Sequence, residues 1–212
     1  LTAAVSMGAV NLGMLGGGVL LLNKTRYELA GRGLTFLSAL LLPLHLWFYD
    51  AQGLIVLATG GHLWIPALVI CGLYAAIARA TRDSIFVYTL TGGVVLTGLL
   101  FLAAPQMSFL LSVIPTCAFL VILGTVAIHA SDIFVEPNGA FSREEFGLAF
   151  FRAGHLVIAG GLAYLLLGQT AHTMLGWSLG IGSQAVFSFW SIPILALAAW
   201  AYAYSHMDRR HG

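Results

Sequence analysis

Two histidines stand inside long apolar runs, His45 in "LLPLHLWFYDAQG" and His155 in "FSREEFGLAFFRAGH". Ionisable side chains at membrane depth are expensive and mark candidate functional sites. Counted from the basic-flanked start of its own run, His45 lies about 11 residues in and His155 about 9, roughly 17 and 14 Å at 1.5 Å per residue. Two neutral imidazoles at matched depth have the chemistry to ligate one b-type haem, or each to hold a chlorin magnesium. Arg152, one helical turn before His155, would then bind an acidic group of the cofactor. Without a cofactor it would snorkel to the interface or meet an anionic lipid or quinone head. Asp50 offers a second chemistry, a cation or proton site on a transport path, together with the glycine-rich "GWSLGIGSQ" of 176–184.

The bland reading of each residue is the stronger one. Pro43 has no N–H to give the carbonyl four residues back. His45 is therefore expected to be satisfied by that carbonyl, by Ser38, or by a facing Ser or Thr. Asp50 falls at the end of its run beside Trp47 and Tyr49, as in an interfacial aromatic belt. His62, His129 and His172 fall near run ends and His206 and His211 in the tail, where an imidazole costs little.

The elements that must position these residues follow from composition. The chain has 212 residues, 59% hydrophobic and 8% charged, against about 25% charged in soluble domains. Its apolar runs are about twice as long as the strands of a membrane barrel. The expected fold is an all-α polytopic bundle of seven spans, at about 2–22, 34–54, 62–79, 85–104, 107–129, 146–168 and 184–205. All 212 residues are read as one transmembrane domain, part of a longer chain or larger complex. The first run lacks a basic flank and a small-residue cleavage site, so it is read as a span and not a signal peptide.

Nine basic and eight acidic residues form no run and no basic face, which sets nucleic acid aside as a partner. With seven spans, Lys24, Arg26, Arg32, Arg79, Arg82, Arg143, Arg152, Arg209 and Arg210 all fall on one side of the membrane. Basic residues gather on the cytoplasmic side. The N-terminus is therefore expected outside and the C-terminus inside, in a bacterial inner membrane, with the lipid bilayer and other membrane subunits as partners.

Small residues four apart let helices approach closely. Ala9, Gly13 and Gly17 form such a ridge in the first span, Thr89, Gly93 and Thr97 in the fourth, and Ala159 and Ala163 in the sixth. They are expected to pack inside the bundle, with dimerisation through the first span as the sharper alternative. Ser142, followed three residues later by Glu145, reads as a capping box, so the sixth helix should begin near Arg143. Cys71 and Cys117 lie in apolar runs and read as small buried hydrophobes.

His45 to His62 and His155 to His172 are both seventeen residues apart, which reads as coincidence or the trace of an old repeat. Seven spans with an outside N-terminus suit a rhodopsin, but a retinal Schiff base needs a lysine in a late span and the only lysine is Lys24. Zinc-protease, paired-cysteine, phosphate-loop and serine-nucleophile motifs are absent from the sequence. No catalytic residue emerges.

At "GRGLTFLSALLLPLHLWFYDAQGLI" and "FSREEFGLAFFRAGH" the chain resembles uncharacterised polytopic membrane proteins of planctomycete bacteria. The resemblance implies a helical integral membrane domain within a longer chain, and no activity. Sequence alone therefore points to a structural or accessory subunit of a larger membrane assembly, with no cofactor. A redox or pigment protein built on His45 and His155 is the alternative, and a transporter the next.

Overall fold

The computed structural model describes residues 2–24, 26–54, 61–105, 113–134, 142–179 and 189–208; of residues 2–4, 23, 24, 169, 171–179 and 208 it describes the backbone alone. The described residues form seven α-helices: α1 (Thr2–Lys24), α2 (Glu28–Ala51), α3 (Trp64–Thr81), α4 (Ser84–Leu102), α5 (Val113–Ser131), α6 (Leu148–Leu179) and α7 (Ser191–Asp208). The first six are long and apolar enough to cross a membrane, and the protein is a multi-pass helical membrane protein. In α7 the C-terminal turns bring Ser205, His206 and Asp208 into the helix and dilute its apolar run.

Three expected boundaries move. α7 begins at Ser191 rather than 184. α2 begins at Glu28 rather than 34, its first turns held by an Arg32–Glu28 ion pair of 3.3 Å at i,i+4 spacing. α6 runs on to Leu179, through residues 169–179 that had been expected to be loop. Gln169, Thr170, His172 and Thr173 are polar, yet neither glycine nor proline occurs between Gln169 and Leu175 to stop the helix. The 32 residues of α6 make a rod of about 48 Å, longer than a bilayer core of about 30 Å. Of the 176–184 segment, 176–179 is helix and the remainder lies outside the described residues, as does the basic pair Arg209 and Arg210.

The chain forms two compact units, Leu1–Gln106 and Met107–Gly212. In the first, α1 packs on α2, α3 on α4, and α3 on both members of the first pair. In the second, α5 packs on α6 and on α7, around Cys117, Val121, Ile128, Ile158, Leu165 and Ala201.

Each unit is built on a helical hairpin that closes at a glycine–glycine crossing. In α1–α2 a β-carbon on Gly18 would lie 2.8 Å from Thr35 N, and one on Gly31 would lie 2.6 Å from Leu22 N. In α5–α6 a β-carbon on Gly124 would lie 2.6 Å from Gly154 O, and the reciprocal distance from Gly154 to Gly124 O is also 2.6 Å. One more correspondence fixes the register. Seven residues before Gly18 is Asn11, whose Nδ2 donates to the carbonyl of Ser38, seven residues after Gly31 (3.2 Å). Seven residues before Gly124 is Cys117, whose Sγ donates to the carbonyl of Gly161, seven residues after Gly154 (3.2 Å). Both seams step by three and four residues, through 11, 15, 18 and 22 in one hairpin and 117, 121, 124 and 128 in the other, the spacing of left-handed packing. The histidine spacing does not follow this equivalence. Fourteen residues beyond Gly31 is His45, whereas fourteen beyond Gly154 is Gly168.

Ahead of α6, residues Arg143–Gly147 make a π-helical turn whose N-cap, Ser142, accepts from the Glu145 N–H at 3.1 Å. The expected cap is present, but Glu145 does not complete the box: its Oε2 is buried with no hydrogen-bond partner. Phe134 stacks on both Phe146 and Phe150 and packs this corner. Ser142→Ala is expected to lower stability by about 1 kcal/mol. A thermal melt in detergent with the alanine variant as stable as the parent would refute that role for Ser142.

Candidate functional site

His45 is held by Asn11. This amide sits in the α1–α2 seam at 3% exposure, and its Nδ2 lies 3.2 Å from Ser38 O and 3.3 Å from His45 Nδ1. The Ser38 carbonyl only accepts, so it decides which way the amide faces and makes Nδ2 the donor to both. His45 Nδ1 is then the acceptor and the ring proton resides on Nε2. That tautomer offers no lone pair at Nε2 for an iron or magnesium. The ring stacks on Tyr49, centroids 6.0 Å apart. Asn11 Oδ1 and Ser38 Oγ are both buried with no hydrogen-bond partner.

The carbonyl that Pro43 leaves without an N–H is that of Ala39. It is satisfied, but not by His45: the Tyr74 hydroxyl of α3 donates to it at 2.9 Å. Both Ala39, at 2% exposure, and Tyr74, at 4%, are out of reach of water. Thus Tyr74 takes the carbonyl that Pro43 frees, Ser38 Oγ pairs with nothing, and the partner of His45 is the amide of Asn11.

In the second unit His155 joins α6 to α7. Its Nδ1 lies 2.9 Å from Phe151 O, one turn back, and its Nε2 lies 3.2 Å from Ser205 Oγ. The carbonyl assigns the ring proton to Nδ1 and leaves the Nε2 lone pair for Ser205. Ser205 has one proton and two acceptors, since Oγ also lies 2.8 Å from Tyr202 O. Phe151 and Tyr202 pack against the ring, centroids 4.4 and 5.3 Å away. Arg152 is exposed and has no acidic partner among the described residues. His45 and His155 belong to different units, and each is engaged within its own.

A further histidine stands out that the sequence had placed among the interfacial ones. His129, in the last turn of α5, packs against both Trp200 (5.0 Å, 12° between planes) and Tyr204 (4.4 Å, 20°) of α7, which also contact each other (5.8 Å). Its Nδ1 lies 2.9 Å from Thr125 O, and the Tyr204 hydroxyl donates to Asp132 Oδ2 at 2.8 Å. The signal was available as two pairs at helical spacing, Trp200 with Tyr204 and His129 with Asp132. Each pair by itself is unremarkable, and only the packing of α5 on α7 joins them.

The small-residue ridges divide. Gly93 and Thr97 face α3: a β-carbon on Gly93 would lie 3.0 Å from Cys71 Sγ, and Thr97 Oγ1 lies 3.4 Å from the same sulfur. Thr89 and Thr97 each also donate to a carbonyl one turn back in their own helix, Ile85 O and Gly93 O. In α1 the seam with α2 uses the row through Asn11, Leu15 and Gly18. Ala9, Gly13 and Gly17 lie on another face, and nothing is within 4 Å of a β-carbon placed on Gly13 or Gly17. Ala159 and Ala163 are exposed as well. Cys71 and Cys117 are free and buried.

Among the described residues no three His, Cys, Asp or Glu side chains are grouped so as to hold a metal ion. Comparison of the chain with protein-family models, curated proteins and solved structures finds no match.

Proposed function

We propose that the chain is a structural or accessory subunit of a larger bacterial inner-membrane assembly, its two units making up one membrane domain of seven spans. The observation that carries this reading is the use made of its intramembrane polar groups. Asn11, Tyr74, Cys117 and His155 all act as clasps between neighbouring helices. Chemistry-bearing side chains used in this way hold a bundle in one arrangement. The ridge of Ala9, Gly13 and Gly17, outside the α1–α2 seam, supplies a face on which a helix of another subunit would pack closely.

An outside N-terminus and a cytoplasmic C-terminus are part of this proposal, as is kinship with the planctomycete membrane proteins. Within the first unit Arg32 of α2 lies 3.9 Å from Asp83 of the α3–α4 turn. The basic residues of both connections therefore share one end of that unit, as the positive-inside rule asks of a cytoplasmic face.

Native gel electrophoresis of the gently extracted protein tests the reading. The parent chain is expected in a complex larger than itself. The double variant Gly13→Leu/Gly17→Leu is expected to melt like the parent yet leave that complex. A parent chain that migrates alone would count against a subunit role. A reducible Soret band lost in His45→Ala or His155→Ala would replace the reading with a redox protein.

A further inference from the structure

Within the second unit, α5 and α7 border a groove of about 440 Å³, lined by Thr125, Val126, His129, Ala130, Ile133 and Trp200, in the range of small-molecule sites. It follows the last turns of α5 and the residues just after them, and exposed Val126, Ile133 and Trp200 open it outward. Since α5 is long and apolar enough to cross a membrane, this end of it meets the membrane–water boundary whichever way the chain is oriented. His129 Nδ1 donates to Thr125 O at 2.9 Å, so the neutral ring keeps its lone pair on Nε2, the nitrogen remote from the helix backbone. That lone pair has no hydrogen-bond partner among the described residues. Nor is Nε2 one of the buried unpartnered atoms, so it is open at the surface. His45 and His155 are held as firmly, but their Nε2 atoms are closed, one by its own proton and the other by Ser205.

We propose that His129 Nε2 is the axial ligand of a metallotetrapyrrole, a haem iron or a chlorin magnesium, whose macrocycle lies along this groove. Three features select that class of ligand. Imidazoles that bind metals give their other ring N–H to a carbonyl or carboxylate, which fixes tautomer and orientation. His129 has that arrangement, and its ring is further held against Trp200 and Tyr204. Next, among the described residues no three His, Cys, Asp or Glu side chains are grouped, and the Asp132 carboxylate already accepts from the Tyr204 hydroxyl. A metal held by one imidazole must bring its remaining ligands with it, as it does inside a tetrapyrrole. Finally, Val126, Ala130, Ile133 and Trp200 offer apolar walls to the face of a macrocycle, at a depth where its acidic edge reaches water. The site goes beyond the accessory role proposed above and does not depend on it, since a chain without partners would hold the same ligand.

Detergent-purified protein would be titrated with haemin and, separately, with chlorophyllide, and followed by absorbance. The parent is expected to bind one equivalent of at least one probe, with the band positions of an imidazole-ligated metal. A haemin complex would place the site in electron transfer, and a chlorin complex in light absorption. His129→Ala is expected to weaken binding by at least about tenfold, the least that a lost partner of a metal site costs. Added imidazole should restore the ligated spectrum in that variant. Ala130→Leu, which fills the groove from a half-buried position, is expected to lose the probe while melting like the parent. His45→Ala and His155→Ala should bind as the parent does. A parent chain that ligates neither probe would overturn the proposal. So would a His129→Ala variant that keeps the parent spectrum, or an Ala130→Leu variant that binds as the parent does.

Discussion

Alanine at Gly124 is expected to destabilise the second unit by about 3 kcal/mol or more, the upper part of the range for overpacked positions. The added carbon would stand 2.6 Å from Gly154 O, 2.6 Å from Ile158 Cγ1 and 3.0 Å from Ile158 N. Two of those three neighbours are backbone and cannot rotate away, so α5 and α6 must separate. Separation also opens the Cys117–Gly161 hydrogen bond and the packing around Val121 and Ile158, both at 0% exposure. Gly160 of the same helix α6 is the control, since a β-carbon there meets nothing within 4 Å. Gly160→Ala should be neutral or stabilising by up to about 1 kcal/mol, the helix preference of alanine over glycine. Unfolding of the two variants in detergent, followed by circular dichroism, compares them directly. Coincident transitions for Gly124→Ala and Gly160→Ala would show that the crossing does not hold the hairpin together.

The second large effect is expected at Tyr74, and it depends on what stands at position 43. In Tyr74→Phe the carbonyl of Ala39 loses the hydroxyl that serves it, and Pro43 provides no N–H in its place. An acceptor left unpaired away from water costs about 1–3 kcal/mol, even though interhelical hydrogen bonds in membranes average only about 0.6 kcal/mol. Pro43→Ala supplies the missing N–H from within α2. In that background Tyr74→Phe should cost less by about 1–2 kcal/mol, a coupling that a double-mutant cycle measures directly. Additive effects of the two substitutions would mean that Tyr74 stabilises the bundle by packing alone.

The extent of the fold was legible because membrane thickness imposes a length on every span, and uninterrupted apolar runs of that length are unmistakable. The start of α6 was legible too, since Ser142 carries cap chemistry wherever the helix goes afterwards. The inward faces were hidden. A soluble helix reveals its buried side by contrast with a polar one, but α1 is apolar all round and has small residues on more than one face. Ala9, Gly13 and Gly17 are as regular a ridge as any, yet the seam runs through Gly18 and Asn11. Asn11 carries no titratable group to set it apart in the sequence, although a lone amide in an apolar run has the same need of a partner. The continuation of α6 was hidden for the opposite reason. Polar residues do not by themselves end a helix; they need only mark where it leaves the hydrocarbon.

The two glycine-crossed hairpins also bear on how the chain reaches the bilayer during synthesis. Each hides its polar clasp between helices that follow one another directly in the chain, Asn11 meeting Ser38 after 27 residues and Cys117 meeting Gly161 after 44. A nascent α1 that entered lipid alone would expose an amide to hydrocarbon, at a cost removed only by a partner. That partner emerges from the ribosome with the very next helix. Insertion pair by pair would let α1 shed its amide onto α2, and α5 and α6 close on each other, before any later span is made.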